Sequence, residues 1–83
     1  MTTEEEHTAY LTAVLYLLKK RKVDLGWLAK ELDYQLISLE AIFVNNTTTV
    51  SADLARRINK EFYMTHSEMI RLGLRKLAQS TNR

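Results

Sequence analysis

The 83-residue sequence contains no cysteine, no proline and only two glycines. The lack of cysteine excludes a disulfide framework and any zinc site that is built on thiolates. The longest apolar run, residues 13–18, is much shorter than the roughly 20 residues that a membrane-spanning helix needs. A chain of this length buries one small core and leaves little room for a deep substrate pocket. We therefore expect a single soluble, cytoplasmic domain over residues 1–83 that is not an enzyme.

Helices joined by short turns are favoured by the few glycines and the absent proline. Apolar residues recur at helical spacing along five stretches, which predicts an all-α fold of five helices. The predicted helices span about 4–22, 25–32, 36–44, 51–62 and 65–79.

Polar residues at the ends of these stretches predict where the helices begin and stop. Thr3, Asp24 and Ser51 are predicted N-caps, and either Thr65 or Ser67 begins the fifth helix. Asn45 is expected to end the third helix in the left-handed conformation. The polar, β-branched segment 46–50 fits either a loop or a short strand.

The net charge of +2 is distributed unevenly along the chain. Residues 1–50 contain five basic and seven acidic side chains, whereas residues 51–83 contain seven basic and three acidic ones. The two halves therefore carry −2 and +4. This surplus permits nucleic-acid binding without requiring it, because phosphate contacts depend on local positive charge.

Residues 28–45 have the spacing of a helix-turn-helix. Ala29 is small enough for two helices to approach closely, and Asp33 tolerates the positive φ of a tight turn. The shared core of the two helices is predicted to contain Leu28, Leu32, Leu39 and Ile42. On these residues the chain resembles the phage λ repressor and Cro-like family, also called the Xre family, over about residues 5–78. The resemblance implies a transcription regulator that binds double-stranded DNA as a homodimer.

The third helix enters the major groove in that family, and the loop after it touches the DNA backbone. The resemblance implies base-facing side chains at Gln35, Leu36, Ile37, Ser38, Glu40 and Ala41. Backbone contacts are implied at Asn45, Asn46 and Thr47, and the candidate phosphate partners are Lys20, Lys22, Arg56 and Arg57. A dimer contact is expected from Met69, Leu72, Gly73 and Leu77, unless these four residues face the core of their own domain.

The charge around the expected recognition helix favours a second hypothesis. Residues 23–45 carry a net charge of −3, because Lys30 is accompanied by four acidic side chains. An apolar surface with an acidic rim is typical of a protein interface. The alternative function is an antirepressor-like antagonist that binds another transcription regulator. Its interface would consist of Leu25, Trp27, Leu36, Ile37 and Val44.

The C-terminal half also resembles the ribbon-helix-helix repressors, on residues 47–54 and 67–75. That resemblance implies N-terminal helices followed by a strand near 47–50, which pairs with the same strand of a second chain. In this alternative fold Asn45, Thr47 and Thr49 would face the bases.

Other chemistry is sparse in this sequence. His7 and His66 have no second ligand at metal spacing, so each is expected to be an ordinary surface or capping residue. No glycine-rich phosphate loop or catalytic set is present. We predict no catalytic residue, no metal site and no cofactor.

Overall fold

The computed structural model describes residues 4–81, with side chains described for residues 4–79. The five helices within this part of the chain are α1 (Glu4–Arg21), α2 (Leu25–Leu32), α3 (Leu36–Phe43), α4 (Ala52–Glu61) and α5 (His66–Thr81). The predicted all-α class is thereby confirmed, whereas the predicted cap at Thr3 lies outside the described residues. Over residues 4–81 the chain forms no strand, so the ribbon-helix-helix alternative is wrong. None of these helices is long and apolar enough to cross a membrane.

The N-termini of α2 and α4 are capped as predicted. Asp24 Oδ1 accepts a hydrogen bond from the backbone N–H of Trp27 at 3.0 Å. Ser51 Oγ accepts from the backbone N–H of Leu54 at 3.1 Å. Each cap satisfies one of the four N–H groups that the first turn of a helix leaves without a partner.

A reciprocal capping box begins α5. The backbone N–H of Thr65 donates to Glu68 Oε1 at 2.9 Å, and the backbone N–H of Glu68 donates to Thr65 Oγ1 at 3.2 Å. Of the two candidates, Thr65 is therefore the cap and Ser67 lies inside the helix. Glu68 decides between them, because it stands three residues after Thr65.

Three helices end in the same way, each on a residue with positive φ that is not glycine. These residues are Lys22 after α1, Asp33 after α2 and Tyr63 after α4, with φ values of 61°, 53° and 56°. In each case the next N–H reaches back to the last turn, as Tyr34 does to the carbonyl oxygen of Ala29 at 2.8 Å. The N–H of the left-handed residue itself also donates into the last turn, as Asp33 does to the carbonyl oxygen of Lys30. These two backbone bonds together form the Schellman motif, which usually places glycine at the left-handed position.

The end of α3 differs from the prediction by one residue. Asn46, and not Asn45, adopts the left-handed conformation, with φ 56°. Val44 keeps a right-handed conformation, so the backbone N–H groups of Val44 and Asn45 both donate to the carbonyl oxygen of Glu40. The chain therefore turns one residue later than the sequence pattern predicts.

The longest helices, α1 and α5, pack against each other through small residues. Ala9 and Ala13 of α1 are fully buried, and Gly73 of α5 lies against the backbone of Ala9. The side chain of Met69 is also fully buried, at 0% exposure. The predicted dimer contact is therefore wrong for Met69 and Gly73, because both face the core of their own domain. Leu72 and Leu77 are half-buried.

Apolar residues from α2 and α3 hold the helix-turn-helix on this core. Leu28 and Leu39 are fully buried, and Leu32 and Ile42 are nearly so. All four residues were predicted as the shared core, and Ala29 is buried beside them. The helix-turn-helix is thus fixed from within, which leaves its outer face free of core packing.

Candidate functional site

The third helix is apolar on both of its sides. Its inner side buries Leu39, Ile42 and Phe43 in the core. On its outer side Leu36 is 41% exposed and Ile37 is 71% exposed. Since the core does not use these outer side chains, their apolar surface is available to another molecule.

The tight turn before α3 fixes the direction of this helix relative to α2. Asp33 adopts the predicted left-handed conformation, and its backbone N–H donates to the carbonyl oxygen of Lys30 at 3.3 Å. Gln35 occupies the N-cap position of α3, but its side chain makes no capping hydrogen bond. The Gln35 amide is exposed and free to bind a ligand at the start of α3.

The residues that the family resemblance implies as base-facing all reach solvent. Gln35, Leu36 and Ile37 are exposed, whereas Ser38, Glu40 and Ala41 are half-buried. Exposure decreases along the helix, because its C-terminal half approaches the core. The first turn of α3 is therefore the part best able to enter a groove.

The loop after α3 adds a polar edge to the same face. Asn45, Asn46 and Thr47 are exposed. The backbone N–H and the hydroxyl of Thr47 both donate to the carbonyl oxygen of Ala41, at 2.8 and 3.2 Å. These two bonds tie the loop to α3, so the exposed side chains have a defined position next to the helix.

An open groove separates the end of α1 from the starts of α2 and α3. Its apolar walls include Leu15, Leu25 and Leu36, and Lys19, Asp24 and Glu40 supply the charged groups. The structure thus brings Lys19 beside α3, although the sequence had pointed to Lys20 and Lys22. Both of those lysines are exposed. Lys19 reduces the negative charge that the sequence assigned to this face.

The two arginines predicted to contact phosphate have different surroundings. Arg57 Nη2 donates to the carbonyl oxygen of Leu32 at 2.7 Å, so its guanidinium closes the C-terminal end of α2. Arg56 lies 3.4 Å from Asp53 in an exposed pair, and it lines a cavity between α1, α4 and α5. The two guanidinium groups therefore do not converge on one phosphate site.

The residues of the alternative protein interface are only partly brought together. Leu25 and Leu36 line the groove described above, and Val44 is 62% exposed. Trp27, however, is half-buried, and the guanidinium of Arg21 lies 5.8 Å from its ring centre. Most of the indole is thus packed against its own chain, which makes Trp27 a weak anchor for a partner.

Sequence reasoning missed a set of polar residues that three helices bring together. His7 and Tyr10 from α1, Asn59 from α4 and His66 from α5 line one cavity. The only local signal was the pair of histidines, and nothing in their spacing indicated that they meet. No group of three or more His, Asp or Glu side chains within the described residues is arranged to hold a metal ion.

Comparisons with protein-family models, with curated proteins and with solved structures gave no match to this chain. Function therefore has to be inferred from the surfaces and side chains of the chain itself.

Proposed function

We propose that this chain is a small, non-catalytic transcription regulator of the λ-repressor type that binds operator DNA through α2 and α3. The observation that carries the proposal is the exposed first turn of α3, which projects from a tight left-handed turn at Asp33. Two helices joined by a turn of three to four residues are the usual architecture of a DNA-binding helix-turn-helix. A major groove about 12 Å wide admits such a helix.

The chemistry of this first turn favours A·T base pairs. The uncommitted amide of Gln35 can bind the N6 and N7 groups of adenine with two hydrogen bonds. Leu36 and Ile37 cannot read hydrogen-bonding groups, but their exposed carbons match the methyl group of thymine. We therefore expect the operator half-site to contain adenine and thymine where the start of α3 lies.

Backbone contacts would come from both sides of α3. Asn45 and Asn46 lie in the loop on one side, and Lys19 lies at the end of α1 on the other. Lys20 and Lys22 extend this basic end. These lysine–phosphate contacts should make binding weaken as salt rises, and the acidic residues nearby should lower the affinity at every salt concentration.

A homodimer would give two such contacts on a two-fold symmetric operator. Leu74 is 38% exposed on α5 and lies one turn from the half-buried Leu77, so these residues replace Met69 and Gly73 as the proposed contact. Sedimentation equilibrium of the wild type and of Leu74→Glu tests this proposal. A variant that stays dimeric would contradict this contact.

DNA binding is tested by fluorescence anisotropy with promoter DNA from the chain's own locus at two salt concentrations. We expect Gln35→Ala to weaken specific binding by about 1–3 kcal/mol, the value of one good bidentate base contact. Gln79→Ala changes the same residue type at an exposed position of α5, away from α3, and serves as the matched control. No binding by wild type at micromolar concentration and low salt would refute the proposal, since non-specific association should already be visible there.

A second candidate function, an antagonist that binds another regulator, is favoured by the apolar exposure of Ile37 and Val44. The substitution Ile37→Lys separates the two functions. On DNA, the added positive charge maintains or raises total affinity while sequence discrimination falls. In a protein interface, the same charge is buried without a partner and abolishes capture. A salt-insensitive complex that Ile37→Lys destroys would favour the antagonist.

A further inference from the structure

A cavity opens between the first turns of α1, one face of α4 and the start of α5. Its volume of 420 Å³ falls within the roughly 300–1,000 Å³ that is usual for small-molecule sites. Val50, Ala55 and Ile70 give it apolar walls, and His7, Asn59 and His66 add polar groups. None of the base-facing residues proposed above lines this cavity.

One wall of the cavity is held in place by a chain of polar contacts. The Tyr10 hydroxyl donates to Asn59 Oδ1 at 2.8 Å, with the carbonyl oxygen of Ala55 at 3.1 Å. This bond directs the Asn59 amide nitrogen to His66 Nδ1, 3.5 Å away. The rings of Tyr10 and His66 are stacked, with their centroids 5.1 Å apart. Burial raises the pKa of Tyr10, so its hydroxyl remains a donor.

His7 contributes a polar atom whose hydrogen bonding is incomplete. Its Nε2 atom is buried and has no hydrogen-bond partner among the described residues. Leaving a buried polar group without a partner costs about 1–3 kcal/mol, and such groups are rare in folded proteins. Nε2 is covered by protein atoms, but His7 lines the cavity, so a rotation of its ring would bring this nitrogen to the cavity surface, where a ligand would supply the missing partner.

One edge of the cavity favours negative charge. Arg56 stands on its edge, where its exposed side chain also pairs with Asp53 at 3.4 Å, and the residues at the N-terminus of α4, Ser51 and Ala52, form part of its wall. The first turn of a helix carries partial positive charge from its free N–H groups. Among the described residues, Glu6 is the one acidic residue in the lining, and it already takes part in another interaction.

We infer that this cavity binds a small organic anion with a compact apolar or aromatic body. The acidic group would lie near Arg56 and the two histidines, and the apolar body would contact Val50, Ala55 and Ile70. A carboxylate and a phosphate monoester share this chemistry. The inference does not depend on whether α3 binds DNA or protein.

NMR titration of the ¹⁵N-labelled full chain tests the inference with four probes of similar shape: sodium benzoate, phenyl phosphate, benzyl alcohol and benzylamine. We expect an anion at millimolar concentration to give saturable shifts in the Ala55 amide and in the ring signals of both histidines. The tighter of the two anions identifies the acidic group as a carboxylate or a phosphate. Equal shifts with benzyl alcohol, or no saturable shift with either anion, would overturn the inference.

Matched arginine variants test the charged edge. Arg56→Gln should weaken binding of the preferred anion about threefold, in line with a partly exposed charge pair. Arg71 is also exposed but lies outside the cavity lining, so Arg71→Gln should leave the affinity unchanged. Equal effects of the two substitutions would contradict the proposed position of the anion.

The substitution His7→Phe should affect stability and anion binding differently. The apolar ring removes the unpartnered nitrogen, so the free energy of unfolding of the free protein should not fall. Anion binding should be lost, because the hydrogen-bonding group is gone. A variant that binds benzoate and phenyl phosphate as the wild type does would exclude His7 from the site. The arginine pair remains decisive if His7→Phe fails to fold.

Discussion

Gly73 in α5 lies directly against the backbone of Ala9 in α1, so that a Cβ atom at position 73 would collide with the Ala9 carbonyl oxygen. The two helices approach each other closely at this point, and any side chain would force them apart. Backbone atoms cannot rotate away as a flexible side chain does. The packing of α1 on α5 therefore depends on the absence of a side chain at one position.

Gly73→Ala should lower the free energy of unfolding by about 1–3 kcal/mol, the usual cost of overpacking a core. This sign is opposite to helix propensity, which favours alanine over glycine by up to about 1 kcal/mol. Gly26→Ala is the matched control, because a Cβ atom there meets only the Asp24 side chain, at 3.3 Å. Urea denaturation measures the free energy of unfolding of the two variants and of the wild type. A Gly73→Ala protein as stable as the wild type would contradict the close packing.

Arg57→Gln should lower the free energy of unfolding by about 0.5–1.5 kcal/mol, because the bond from its guanidinium to the Leu32 carbonyl oxygen is lost. Arg56→Gln removes only an exposed ion pair, in which the side chains of Arg56 and Asp53 are 76% and 74% exposed. Its effect should stay within about 0.5 kcal/mol. Equal losses for these neighbouring arginines in urea denaturation would argue against a capping role for Arg57.

Raising the pH above 10 should reduce stability through Tyr10. Burial raises the pKa of this hydroxyl above its ordinary value of 10.0, so the folded chain retains a proton that the unfolded chain releases. The stabilisation is complete below pH 10 and is lost as the pH rises toward the pKa of the folded state. Tyr10→Phe should unfold with a shallower pH dependence in this range, and an unchanged slope would exclude Tyr10 as the cause.

Arg21→Ala should shift the fluorescence of Trp27, the single tryptophan of the chain, to longer wavelength. The Arg21 guanidinium lies 4.6 Å from the ring centre of Phe62 and 5.8 Å from that of Trp27, so it covers both aromatic rings. We expect a stability loss of about 0.5–1 kcal/mol, as for an exposed cation–π contact. Lys22→Ala, one residue further along, is the control and should leave the emission unchanged.

Local chemistry made much of this fold predictable from the sequence. The caps at Asp24 and Ser51 and the left-handed turn at Asp33 each depend on residues within three positions of one another. The exposure of Leu36, Ile37 and Val44 also follows the prediction of an apolar outer surface. The caps and the turn require no knowledge of how the helices pack.

The features that prediction missed depend on packing between distant segments. Gly73 and Met69 fit a dimer contact as well as a core contact in sequence, because small and apolar residues suit both. The bond from Arg57 joins residues 25 positions apart, and the bond from Tyr10 to Asn59 joins residues 49 positions apart. The cavity at His7 and His66 arises only when three helices meet, so no spacing rule could locate it.

The left-handed residues that end α1 and α4 are not glycine, so substitution there could raise the thermal stability of the domain. Lys22 and Tyr63 hold the left-handed conformation at a cost of about 1–2 kcal/mol each, which glycine would not incur. Part of that gain is offset, since glycine gives the unfolded chain more freedom, worth about 0.5–1 kcal/mol. Lys22 is also a proposed phosphate contact, so Tyr63→Gly is the substitution of choice, and it should raise the melting temperature while leaving α3, the basic end of α1 and the cavity lining intact. A thermostable scaffold of this kind would tolerate the destabilising substitutions that mapping α3 requires.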